Sequence, residues 1–175
     1  MRKNGPFAMR MMAPAALLGA IVLAGCRFHS REITSLQRKE AANLVSEAQF
    51  AVTLKDWSRA EGLFAQAAEL CPDTGDYWVD LGMVRVRLGK RGEAKSDYAS
   101  ALSAFKDAVS ADPSASQPVL QEIYTLVLMG RMDDARRVLE KERSRRPDDS
   151  DLRAFAESGR LDQIRTDPGF KEAAL

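Results

Sequence analysis

Chemistry has few places to reside in this chain. Its 175 residues hold two cysteines, Cys26 and Cys71, and one histidine, His29. A general base, a metal ligand set or a nucleophilic triad needs such side chains in number and convergent. No His-Glu-x-x-His, Gly-x-Ser-x-Gly, phosphate-cradling glycine loop or Cys-x-x-Cys occurs. The adjacent carboxylates Asp133-Asp134 and Asp148-Asp149 stand at predicted helix starts, where they cap free amides and favour the dipole. The expectation is therefore no catalytic residue, no metal, no cofactor and no small-molecule substrate. One position keeps a chemistry of its own, and it is Cys26.

Arg2, Lys3 and Arg10 give a basic start, with no acidic residue before Glu32. An apolar stretch from Met11 to Ala24 comes next. That order reads as a secretory leader, and the stretch falls short of the roughly 20 apolar residues that span a bilayer. Its ending, Leu23-Ala24-Gly25-Cys26, resembles a bacterial lipobox. The resemblance implies cleavage before Cys26, a thioether from its thiol to diacylglycerol, and acylation of the new amino terminus. Each buried methylene contributes roughly 0.8 kcal/mol, and two chains anchor stably where one does not. Arg27, where inner-membrane lipoproteins of many diderm bacteria carry aspartate, implies an outer-membrane anchor with the domain facing the periplasm. An uncleaved anchor, or an ordinary secretory signal with a chance cysteine, is the alternative. A start at Met9 would leave a leaner leader ending at the same cysteine.

The elements that remain must form a protein of modest size. Residues 1–25 form the leader, 26–35 a lipidated tether, and the remainder is long enough for one domain. Losing Arg2, Lys3 and Arg10 leaves 23 basic against 25 acidic residues, which gives nucleic acid nothing to bind. With Cys26 lipidated, Cys71 has no partner in the chain and is expected on a helix packing face. The nine residues Arg27 to Ser35 reach about 30 Å at most, which holds the domain beside the membrane.

A repeat organises the rest. Ala60-x3-Phe64-x2-Ala67-x4-Pro72 recurs as Ala101-x3-Phe105-x2-Ala108-x4-Pro113, and more loosely as Ala135-x3-Leu139-x2-Glu142-x4-Pro147. Trp78-x2-Leu81-Gly82 precedes the second copy. Ala60 to Ala94 and Ala101 to Ala135 are each 34 residues apart, with an insertion of seven between them. Seven residues are nearly two helical turns, so the apolar face stays in phase and one overlong helix, roughly 92–111, is expected, with a lengthened loop as the alternative. Small alanines let paired helices approach, Phe or Leu fills the gap, and proline ends the second helix. Asp56, Gly89 and Gly130 mark the tight turns, the two glycines as left-handed caps.

These motifs resemble the tetratricopeptide repeat. The resemblance implies an all-α solenoid of three hairpins (36–72, 75–113 and 116–147), the second with the overlong second helix. Residues 148–175, with Leu152, Phe155, Leu161, Ile164 and Phe170, read as capping helices. The first hairpin offers Leu44 and Ala48 in place of the aromatic opener, and the third offers Val119, Glu122 and Ile123. The family's groove maps onto Val45, Gln49 and Val52, then Val79, Met83 and Val86, then Leu120, Tyr124 and Val127. A mostly apolar groove suits an amphipathic helix or apolar strand of a partner, unless the tail or the N-terminal segment fills it. The lysine and asparagine set by which some relatives clamp a carboxylate terminus is missing. Arg136, Arg137, Lys141, Arg143, Arg145 and Arg146 alternate with Glu140, Glu142, Asp148 and Asp149, the pattern of a solvated face. The function implied is an adaptor for an envelope protein, of pilus-assembly or peptidoglycan-enzyme type. A chaperone for one envelope subunit and a self-associating structural lipoprotein are the alternatives.

Overall fold

The computed structural model describes Glu32–Leu175. Leu23, Ala24, Gly25, Cys26 and His29 lie outside the described residues, and so do the leader and most of the tether. The described chain is all helix and turn. Three hairpins pair α1 (Ser35–Thr53) with α2 (Trp57–Leu70), α3 (Gly75–Arg87) with α4 (Arg91–Ala111), and α5 (Gln117–Leu128) with α6 (Met132–Arg145). Three short helices complete the chain: α7 (Ser150–Glu157), α8 (Arg160–Thr166) and α9 (Pro168–Lys171). Each helix packs chiefly on its neighbours in sequence, the layering of a solenoid.

The hairpin turns share one backbone. In the first, the Lys55 amide donates to Val52 O and the Asp56 amide to Ala51 O, both at 2.9 Å. Gly89 and Lys90 repeat the pair onto Val86 O and Arg85 O, and Gly130 and Arg131 onto Val127 O and Leu126 O. These paired bonds satisfy the last carbonyls of each first helix and need a left-handed residue between. Gly89 (φ 77°) and Gly130 (φ 70°) supply it, whereas the first hairpin uses Lys55 (φ 59°). Asp56, the residue expected to mark that turn, instead caps α2 by accepting from the Arg59 amide.

The repeated residues are core. Ala60, Ala67, Ala101 and Ala135 are fully buried, and Phe64, Phe105 and Leu139 nearly so. Ala108 is only half-buried, because α4 is 21 residues long against 13 for α3 and outruns its partner. The seven-residue insertion is therefore helix, and it brings Tyr98 into the core. Leu81 is buried, and Trp78 donates through Nε1 to Pro72 O at 3.0 Å, pinning the turn before α3. A Cβ at Gly82 would stand 2.5 Å from Tyr98 Cε1, so only glycine admits that ring. Glu142, in the alanine slot of the third copy, is buried under Arg145 and Arg146. Cys71 is buried and unbonded.

The short C-terminal helices do more than close the end of the stack. Leu152, Leu161 and Phe170 are buried in the core of the second and third hairpins, and Phe155 and Ile164 pack against it half-exposed. The chain then returns to α3, α4 and α5. Tyr98 donates through its hydroxyl to Ala173 O at 2.6 Å, and the Leu175 amide donates to Leu128 O at 2.9 Å.

Candidate functional site: the concave face

The tetratricopeptide resemblance puts the first helix of each hairpin on the inner face, so a groove is sought along α1, α3 and α5. On α3 the residues left facing the open side are Asp76, Asp80, Met83 and Arg87, spaced four, three and four apart along one stripe. Their neighbours point elsewhere. Val79 and Val127 are 7% and 3% exposed and belong to the core, as does Val86. The groove residues expected from the sequence therefore divide. Gln49 is exposed, and Val45, Val52, Met83, Leu120 and Tyr124 are half-buried. Val79 and Val127 are packing residues, because an inner helix is covered on two sides and its apolar positions are those covered first.

The face is in two parts. Gln49, Val52, Trp57, Phe64, Met83 and Arg87, with Asp80 and Val84, line an open apolar recess of about 200 Å³ between the first two hairpins. Beyond Met83, the chain's own tail lies on the face. Phe170 meets Tyr124 edge to face with ring centroids 5.5 Å apart, and Glu172 pairs with Arg87 at 2.5 Å. Arg87 also stacks over Trp57 at 5.3 Å, which leaves its guanidinium engaged on both sides. A cleft of about 540 Å³ persists between α3, α5 and the tail, with Met83 on its wall as well. The tail lies on one half of this face, and the recess on the other half is open.

Electrostatics distinguish the open half. Burial, and then the like charge of Asp76, push the Asp80 carboxyl up to about 6. Burial raises Asp76 as well, and Tyr124 across the face is raised by burial and by Asp167 and Asp80. Elsewhere the enclosed carboxylates have cations. Glu61 receives Arg85 and Lys90 at 3.0 and 2.6 Å, Asp97 receives Arg85 at 2.8 Å, and Glu122 has Lys106 at 4.0 Å. The basic residues of α6 are likewise matched. Arg136 pairs with Asp133 and Asp162, Arg137 with Asp134, and Arg143 with Glu140.

Among the described residues, no group of three His, Cys, Asp or Glu side chains could hold a metal ion, and no helix is long and apolar enough to cross a membrane. Asp134 sits in the first turn of α6, and Asp149 caps α7 by accepting from the Asp151 and Leu152 amides. What the arrangement offers chemically is a shaped, partly desolvated surface, suited to binding. The fold and the site together define a helical-repeat binding module. Residues 93–158 match the tetratricopeptide repeat family, a segment running from α4 to the end of α7. No curated protein matches the chain.

Proposed function

We propose that this protein is a lipid-anchored adaptor that holds another envelope protein against a bacterial membrane, of the type that serves pilus assembly or peptidoglycan enzymes. The observation that carries the reading is the open recess between the first two hairpins, apolar and bordered by Met83. Apolar surface left concave and partly desolvated favours an apolar segment of a partner. The anchor rests on the resemblance of Leu23-Ala24-Gly25-Cys26 to a lipobox and on Arg27, which favour the outer membrane and its periplasmic face. Two acyl chains and a tether of about 30 Å hold any partner close to the bilayer.

The test crosslinks partners in intact membranes and compares the wild type with Met83→Glu. Val79 is unsuitable for this purpose, since a charge at a buried position unfolds the stack. Loss of one crosslinked protein from the variant supports the adaptor, and an unchanged set refutes it. A client bound only before its own assembly would make the role a chaperone's. Cys26→Ala tests the anchor, because it moves the protein out of the membrane fraction if Cys26 carries lipid.

A second reading has its own observation. Leu36, Phe50 and Leu54 lie on the outer side of α1 at 72%, 60% and 61% exposure. No hairpin among the described residues covers them. Two copies meeting through this end would bury all three, and Phe50→Lys would then return a dimer to monomer in sedimentation.

A further inference from the structure

Asp80 is the exception among the enclosed carboxylates. Glu61, Asp97, Glu122 and Glu142 each lie within 4.0 Å of a lysine or arginine of the chain. Asp80 makes no hydrogen bond and no ion pair among the described residues, and its charged neighbour one turn away is Asp76, of the same sign. It sits in the wall of the open recess, with Val52, Trp57, Phe64 and Met83 around it. The recess has a cation too, Arg87, but that guanidinium is committed to Glu172 and to the Trp57 ring. Charge therefore runs one way along α3. The basic end is satisfied by the chain's own tail, and Asp80 of the acidic end lines the open apolar recess.

We infer that the open half of the concave face selects a partner segment in which a lysine or arginine, set among apolar residues, pairs with Asp80. The inference rests on the adaptor reading and specifies its partner. The apolar neighbours of the cation fill the hollow against Val52, Phe64 and Met83. Its charged group reaches a carboxylate already partly withdrawn from water, which lessens the further desolvation that opposes the bond. A charge-assisted hydrogen bond in such a setting is about twice as strong as a neutral one. An acidic segment meets Asp80 and Asp76 with like charge and is rejected.

The probe is a random twelve-residue peptide library displayed on phage, selected at pH 7.5 on the 175-residue chain, on Asp80→Asn and on Met83→Glu. The wild type is expected to enrich peptides with one lysine or arginine between apolar residues. Asp80→Asn, nearly isosteric, is expected to keep the apolar preference and lose the basic one. A synthetic peptide from the wild-type selection should bind the variant at least about tenfold more weakly by fluorescence anisotropy. Enriched peptides without a basic residue, or the same basic peptides on Asp80→Asn, overturn the charge inference and leave the groove as a binding site. No enrichment over Met83→Glu overturns both. The two failures are distinct.

Discussion

Arg85 of α3 donates through Nη1 to both carboxylate oxygens of Asp97 on α4, at 2.8 and 3.0 Å, and through Nε to Glu61 of α2 at 3.0 Å. One guanidinium thus ties three consecutive helices. Burial raises the Asp97 carboxyl above its ordinary value despite that contact. The cluster therefore fixes position more than it stabilises. Removing Arg85 alone strands the Asp97 carboxylate, while Glu61 keeps Lys90 at 2.6 Å. Arg85→Ala is expected to lower unfolding free energy by about 2–4 kcal/mol. A triple variant, Arg85→Met with Asp97→Leu and Glu61→Gln, should recover most of it. Urea denaturation of the two proteins checks this, and an Arg85→Ala loss under about 1 kcal/mol would refute the tie.

Asp80 gives a prediction in pH. Its folded-state value of about 6 lies above the ordinary 3.8, so the folded protein holds this proton more tightly than the unfolded chain. Stability from the protonated form is full below about pH 4 and is lost as pH rises through 6. The groups facing it do not reverse the sign: Asp76 on α3 adds to the shift, Tyr124 on α5 is neutral here, and Arg87 is paired with Glu172. At ~1.4 kcal/mol per tenfold change in proton affinity the ceiling is about 3 kcal/mol, and the open side of the recess reduces it. Asp80→Asn should be about 1–2 kcal/mol more stable than the wild type at pH 7.5, with the difference vanishing near pH 4. Thermal melts of both proteins across that range decide it.

Lys55 stands where the other two hairpins place Gly89 and Gly130, with φ of 59°. A side chain in the left-handed region costs roughly 1–2 kcal/mol, and glycine avoids it at the cost of a freer unfolded chain. Lys55→Gly is expected to raise stability by about 0.5–1 kcal/mol, while Lys55→Ala does not. The midpoint of urea unfolding reads the difference directly. Equal midpoints for the two variants would show that the turn carries no strain.

The repeat was legible because it is made of local constraints. Ala60, Phe64 and Ala67, their copies 34 or 41 residues on, and the glycine turns each encode a helix face or a stop in a few residues. The seven-residue insertion was readable for the same reason. The concave face was harder. The family pattern maps Val79 and Val127 onto the groove, yet both are buried against the flanking helices. The residues left open are the polar ones that interrupt α3, Asp76, Asp80 and Arg87, and that interruption was the available signal. Nothing local announces that Glu172 will meet Arg87, since 85 residues separate them. The seat of the tail on α3, α4 and α5 was not legible in the sequence.

That seat hangs on Tyr98. Its ring occupies the space Gly82 leaves open, and its hydroxyl reaches Ala173 O at 2.6 Å with no exposure to water. Burial holds the phenol well above its ordinary value, so the group is a donor at neutral pH. Tyr98→Phe keeps the packing and deletes the donor, leaving a buried carbonyl without its partner. Such a loss costs about 1–2 kcal/mol. The tail's other anchors include the Glu172 pair with Arg87, the Leu175 amide on Leu128 O, Arg91 Nη1 donating to Ala174 O, and Phe170 against Tyr124. The cost should therefore fall on the tail first. Hydrogen exchange of Tyr98→Phe is expected to show faster exchange at residues 170–175 and unchanged protection in α1 and α2. Exchange that rises evenly through all three hairpins would mean that Tyr98 supports the whole core and does not hold the tail in particular. If only the tail loosens, the cleft beside Tyr124 should widen and bind apolar dyes more strongly than in the wild type.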